Sequence, residues 1–142
     1  MNAAVRINPI SRAFTLIELI AVIVVLAILS GVAIPKYFDY TANAKASSTK
    51  GTLGGVRSAI ANFYANSAVS GTAAFPTLVQ IQTVGTVLQE PVPANPYNND
   101  ATIAAATYSA ASPPVSGTNG WNYDAASGKF WCNSSTSSAN TW

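Results

Sequence analysis

The chain has 142 residues, of which 8% are charged and 49% apolar, a charge fraction about a third of the ~25% usual for soluble domains. It contains no histidine and a single cysteine, Cys132, so it lacks the commonest general base and metal ligand and cannot close an intramolecular disulfide, which argues against a catalytic triad or metal centre and so against an enzyme. Seven Lys and Arg against five Asp and Glu give a net charge of +2; Arg6 and Arg12 both precede the main apolar run, so the rest of the chain is neutral and offers no basic stripe for nucleic acid.

Residues 1–13, MNAAVRINPISRA, are basic, free of acidic groups and interrupted by Pro9. They make a poor helix but a good cytoplasmic-side flank under the positive-inside rule, and they read as a leader. Residues 14–34, FTLIELIAVIVVLAILSGVAI, follow; a helix of that length rises roughly 30 Å, about one hydrocarbon core. The competing reading is an ordinary secretory signal, with Leu19–Leu29 as its apolar region and Gly31-Val32-Ala33 as a small-x-small cleavage site. Glu18 argues against that reading, because a carboxylate in lipid is disfavoured by about 2.5–3.5 kcal/mol and a signal peptide gains nothing from it. The plainer reading of Glu18 is a flank residue near the headgroups.

Geometry suggests a partner for it. If the chain is cut between Ala13 and Phe14, the new α-ammonium lies four residues before Glu18, one helical turn away in the same chain or one axial step away in a neighbour. An unpaired charge in a dry interior is costly, whereas a matched pair sets register. Two copies offset along an axis could join Glu18 of one to the Phe14 ammonium of the next.

The run Ala13-Phe14-Thr15-Leu16-Ile17-Glu18-Leu19, followed by the apolar helix and Pro35, resembles the N-terminal processing and methylation motif of the type IV pilin and type II secretion pseudopilin superfamily. The resemblance implies that a prepilin peptidase cuts after Ala13 and methylates the Phe14 amine, and that Glu18 is the subunit-registration residue. The family usually has Gly before the cut, and Ala13 stands there in this chain.

Pro35 removes an amide donor, and Ser30 and Gly31 weaken helical preference before it, so a bend or break is expected over Gly31–Pro35. In the resembled family such a segment can be extended in filaments. From residue 36 to 66 the pattern is amphipathic: Leu53, Val56, Ile60, Phe63 and Tyr64 recur at spacings of three and four, with Lys45, Ser48, Lys50, Arg57, Ser58 and Asn62 on the other face. Gly51, Gly54 and Gly55 read as close-packing sites or a weak point.

Residues 67–142 shift to Ser, Gly, Thr, Ala and Pro and form a globular head. A short helical turn is expected over Leu78–Ile81. Pro91, Pro93 and Pro96 exclude a central strand, and Ala94–Asn99 reads as a loop. The clearest hairpin joins Gly120-Trp121-Asn122-Tyr123-Asp124 to Lys129-Phe130-Trp131-Cys132-Asn133 through Ala125–Gly128. Alternation sets Trp121 and Tyr123 against Phe130 and Cys132 and turns Trp131 outward. The tail from Ser134 to Trp142 is expected to be loosely ordered.

The expected fold is therefore α+β: a long N-terminal helix, membrane-spanning over residues 14–35 and amphipathic over 36–66, packed on a small antiparallel sheet. Asp100 and Asp124, with Asn98, Asn99 and Asn122, are oxygen donors that could hold calcium, although a D-x-D-x-D spacing is absent and solvated turns are the alternative. No other cofactor is expected.

The resemblance implies a structural subunit of a type IV pilus-like or secretion pseudopilus filament. Its partners would be further copies, related minor pilins, a prepilin peptidase, an assembly platform protein and the inner membrane. The precursor would sit in that membrane with its leader cytoplasmic and its head outside, and then join a periplasmic or surface filament. A minor, tip or DNA-uptake subunit acting as a binding module is the alternative; a basic patch on the head would favour it, and beyond Asn66 the only base is Lys129. The short head without a cysteine pair leans toward a pseudopilin-like or minimal pilin.

Overall fold

The computed structural model describes residues 14–142, which divide into a unit ending at Tyr40 and a unit from Thr41 to Trp142. The elements in order are α1 (Leu16–Val69), α2 (Leu78–Gln82), β1 (Ile103–Ala105), β2 (Trp121–Asp124), β3 (Lys129–Cys132) and a short 3-10 segment over Thr136–Thr141. The leader expected over residues 1–13 lies outside the described residues.

Helix α1 is continuous through Gly31 and Pro35, where the sequence leads one to expect a break. Proline forfeits one helical bond, the one its amide would have given to the carbonyl four residues back, which is that of Gly31. The loss is confined to that turn, and the apolar residues on both sides keep their own ladder. The helix ends in a Schellman motif: Thr72 N bonds Ser67 O and Gly71 N bonds Ala68 O, both at 3.1 Å. Gly71 supplies the left-handed residue this ending needs, at φ 92°.

Within the second unit, α1 turns Thr49, Leu53, Val56 and Ile60 inward. Leu53, Val56 and Ile60 meet Ile81 of α2, Val92, Ile103 of β1 and the inward face of the hairpin, Trp121, Tyr123, Phe130 and Cys132, with Ala139 closing the cluster. Trp121 and Phe130 stack with ring centroids 5.5 Å apart. Leu53, Val56 and Ile60 of the helical stripe thus converge with the hairpin alternation on one core, whereas Tyr64 of the same stripe is exposed and stacks on Phe75. Gly51, Gly54 and Gly55, in contrast, have no neighbouring atom where a Cβ would stand, so no close packing within the chain explains them.

The sheet order is β1-β2-β3. β2 and β3 are antiparallel, with Trp121 opposite Cys132 and Tyr123 opposite Phe130. β1 runs parallel to β2, with Ile103 opposite Trp121, so the sheet is mixed, which corrects the expectation of an antiparallel one. The reason lies in the connection: residues 106–120 form a crossover long enough for parallel pairing, which a tight hairpin cannot supply.

Two further expectations are corrected. Trp131 is buried and not turned outward, because the segment before β2 folds over it: its indole N–H donates to Pro114 O at 2.9 Å and its ring meets Tyr108 edge to face. The tail is ordered by the 3-10 segment, which buries Ala139 and brings Asn140 Nδ2 to Pro113 O at 2.9 Å. Proline carbonyls recur as acceptors here. Trp121 Nε1 donates to Pro93 O at 2.9 Å, and Tyr123 Oη to Pro76 O at 2.7 Å. Carbonyls in proline-rich loops lack strand partners, and the polar tips of buried aromatics satisfy them.

Candidate functional site

The start of α1 carries the residues that the sequence singles out. Thr15 stands at the N-cap: its carbonyl accepts the first helical bond, from Leu19 N at 3.2 Å. Glu18 Oε2 accepts from the Thr15 amide at 2.9 Å and from its hydroxyl at 2.8 Å, while Thr15 Oγ1 accepts from Glu18 N at 3.3 Å. This is a capping box, which satisfies otherwise orphaned amides at a helix start. A carboxylate in the first turn is further favoured by the helix dipole. Phe14 is 84% exposed just before this box; Ala13 lies outside the described residues.

Beyond Glu18 the helix presents apolar side chains on every face. Leu19, Ile20, Val22, Ile23, Val24, Val25, Leu26, Ile28, Leu29, Val32 and Ile34 are all exposed. An 18-residue window reaches a mean hydropathy of 2.9 with none of it buried. A helix apolar all round and uncovered by its own chain is built for a medium other than water. In lipid the one weak point is the Gly31 carbonyl left unbonded by Pro35, the kind of local defect that spanning helices tolerate.

The candidate calcium residues fall in two segments, Asn98–Asp100 ahead of β1 and Asn122 and Asp124 on β2, and both carboxylates are already engaged. Asp100 Oδ1 accepts from the Thr102 amide and hydroxyl, each at 2.6 Å. Asp124 accepts from Ala126 N at 2.9 Å, Ser127 Oγ at 2.8 Å and Tyr108 N at 3.1 Å. These bonds hold both carboxyls below the ordinary aspartate range, the Thr102 hydroxyl contributing most at Asp100 and the Tyr108 amide most at Asp124. Among the described residues no three His, Cys, Asp or Glu side chains come together.

Several residues that organise the head carry little sequence signal. Thr15 was readable, since T-x-x-E before an apolar run is the capping-box pattern. Arg57 was assigned only to a polar face, yet its Nε donates to Phe130 O at 3.0 Å and its Nη2 to Trp142 O. Asn95, Asn119, Asn122 and Asn133 are buried together with their amides paired. Asn133 alone donates to Asn119 O at 2.7 Å and accepts from Ser116 N at 2.8 Å and Asn122 Nδ2 at 3.2 Å. Asn95 Nδ2 reaches Gly120 O at 2.8 Å and Cys132 Sγ at 3.2 Å. Cys132 is a small buried residue on β3, and burial pushes its thiol above the ordinary cysteine range.

A family model described as the prokaryotic N-terminal methylation motif matches residues 9–34. The chain is 44% identical over 59 residues to the type IV major pilin protein PilE1 of Neisseria gonorrhoeae, a stretch covering 42% of this chain and 36% of that protein. It is 35% identical over 63 residues to the fimbrial protein EcpC of Eikenella corrodens, covering 44% of this chain and 41% of that one. Over 59 residues it is 39% identical to the type IV major pilin protein PilA of Myxococcus xanthus, covering 42% of this chain and 27% of that protein. The match therefore spans well under half the length of these relatives. No solved structure matches the chain.

Proposed function

We propose, from an N-terminal methylation motif and pilin relatives that support assignment to the type IV pilin and pseudopilin superfamily, that this chain is a filament-forming structural subunit. It is made as a membrane-anchored precursor, cut between Ala13 and Phe14 and methylated on the Phe14 amine. The observation that carries this reading is Glu18, a carboxylate heading an exposed apolar helix long enough to cross a membrane. In the filament, α1 trades lipid contacts for contacts with copies of itself, and Glu18 of one copy meets the Phe14 ammonium of the next, fixing the axial step. The capping box supports this role, because it holds the carboxylate at the very end of the helix where that ammonium would arrive.

Gly31 and Pro35 are the place where the helix opens on assembly, since one bond is already missing there. A peptidase, an assembly platform and related minor subunits act on the chain from outside, and the head does no chemistry of its own. The relatives, named as major pilins and fimbrial proteins, favour a surface pilus over a secretion pseudopilus. Mass spectrometry of the mature N-terminus is the direct test. A methylated Phe14 supports the reading; Ile34 as first residue would replace it with a conventional signal peptide.

A further inference from the structure

The apolar surface of α1 does not stop at Pro35. Tyr37, Phe38 and Tyr40 are 69%, 67% and 69% exposed, and the rings of Tyr37 and Phe38 meet edge to face with centroids 6.2 Å apart. At about 100° per residue, Tyr40, Tyr37 and Phe38 cover an arc of about 160°, and Lys36 and Asp39 fall in the arc that remains.

Residues 19–35 carry no charge, so Lys36 is the first charged side chain after Glu18. Between those two residues the helix rises about 27 Å, close to the ~30 Å of a hydrocarbon core. Glu18 and Lys36 thus fall at the two faces of such a layer, and the three rings lie just outside the second face. Water would leave the rings uncovered. Hydrocarbon would strip the tyrosine hydroxyls and the charges of Lys36 and Asp39 of their partners. The headgroup layer meets both demands, because it takes an apolar ring body and a polar tip at once and lets a lysine reach the lipid phosphates.

The geometry points to residues 36–40 as a lipid-binding collar that seats in the phospholipid headgroup layer on the side away from Glu18 and fixes the depth of the chain before assembly. This rests on the membrane-anchored reading above. It adds a stop: the anchor cannot slide toward the Glu18 side without drawing Lys36 and Asp39 into hydrocarbon, nor the other way without dragging Glu18 in.

The test uses the full chain in phosphatidylethanolamine and phosphatidylglycerol nanodiscs, with tyrosines replaced by 3-fluorotyrosine and Tyr37→Phe and Tyr40→Phe assigning the two signals. Spin labels on the lipid headgroup, on the middle of the acyl chain, or on a water-soluble chelate then report depth, with the Val24 methyls marking the span. The collar predicts that the headgroup label broadens Tyr37 and Tyr40 most, while the mid-chain label broadens Val24. Tyr37 and Tyr40 responding mainly to the chelate or to the mid-chain label, with Val24 still in lipid, overturns the collar and leaves the span intact. Ring signals that follow the protein-to-lipid ratio and ignore the lipid labels place a second copy there, and also overturn it. A Val24 that no lipid label reaches sinks the collar and the membrane reading together.

Discussion

Thr15 and Glu18 bond each other in both directions, the carboxylate accepting from the threonine amide and hydroxyl at 2.9 and 2.8 Å and the hydroxyl accepting from the Glu18 amide at 3.3 Å. The same chain repeats the arrangement in neutral form at Thr77 and Gln80. A capping box therefore needs an oxygen at its third position, not a charge, and this separates the capping by Glu18 from the registration proposed for it.

Glu18→Gln should keep the helix start and lose the registration charge, whereas Glu18→Leu should lose both. Hydrogen exchange at the Thr15 amide, which donates to the Glu18 side chain, is expected to match the parent in the Gln variant and to quicken in the Leu variant, while filament yield falls in both. Thr15→Ala does the converse, costing about 1 kcal/mol of helix start with the charge retained. Parental filament yield from correctly trimmed Glu18→Gln would show that the charge is not what sets register.

Asn133 ties the buried Asn119 and Asn122 and the exposed Ser116 into one network. Truncating it leaves several buried polar groups without partners, each costing about 1–3 kcal/mol. Asn133→Ala should lower head stability by about 2–3 kcal/mol in urea unfolding of the full chain in detergent. Asn140→Ala, which gives up the bond to Pro113 O, should cost about 1 kcal/mol or less.

Two glycines should respond in opposite senses to alanine. A Cβ on Gly120 would stand 1.8 Å from the Asp100 carbonyl oxygen, a backbone atom that cannot step aside, whereas one on Gly54 would meet nothing. Gly120→Ala should destabilise the head by about 3 kcal/mol. Gly54→Ala should stabilise the isolated chain by about 0.5–1 kcal/mol through helix propensity. If Gly54→Ala melts higher as a monomer and yet assembles poorly, that helix face lies against another copy.

Asp124 is held below the ordinary aspartate range by the Tyr108 amide first and by Ser127 and Ala126 as well. A group whose folded pKa is lowered contributes stability above its unfolded pKa and loses that contribution as pH falls through the folded one. The head should therefore weaken below about pH 4, and Asp124→Asn should flatten that acid limb when urea midpoints are followed from neutral pH downward. An unchanged limb would assign the loss to other carboxylates.

Cys132 is enclosed on β3 with Asn95 Nδ2 at 3.2 Å from its sulfur, and burial disfavours its thiolate. Iodoacetamide should label it only as fast as the head opens, so labelling should accelerate in Asn133→Ala. Rapid labelling of the folded parent would contradict the packing of the hairpin.

How much of this was legible follows from the range of the interactions. The hairpin register, the Leu53–Val56–Ile60 stripe and the short helix at Leu78 rest on local periodicity and turn chemistry, and they are in the structure as read. β1 was not foreseen, because Ile103-Ala104-Ala105 has no alternation to show and becomes a strand only by pairing with a segment that returns after the crossover. Trp131 was misjudged for the same reason: alternation says which face a residue takes, not whether a distant loop such as the one at Pro114 covers that face. Arg57 and the buried asparagines look like surface polar residues until long-range closure gives them carbonyls to hold. At the helix start, the Thr15–Glu18 pair is legible as T-x-x-E, because a capping box depends only on residues three apart.

The rims of the small sheet are worth following to their end. On one side the Ile103 carbonyl is taken by Gln82 Nε2 at 2.8 Å, and on the other the Phe130 carbonyl is taken by Arg57 Nε at 3.0 Å. β1 is only three residues long, and the 3-10 segment packs along β3. Open strand borders recruit foreign strands, and crowding makes that recruitment faster. A molecule whose borders are plugged by its own side chains can be stored at high density among its siblings without fusing into amyloid-like ribbons.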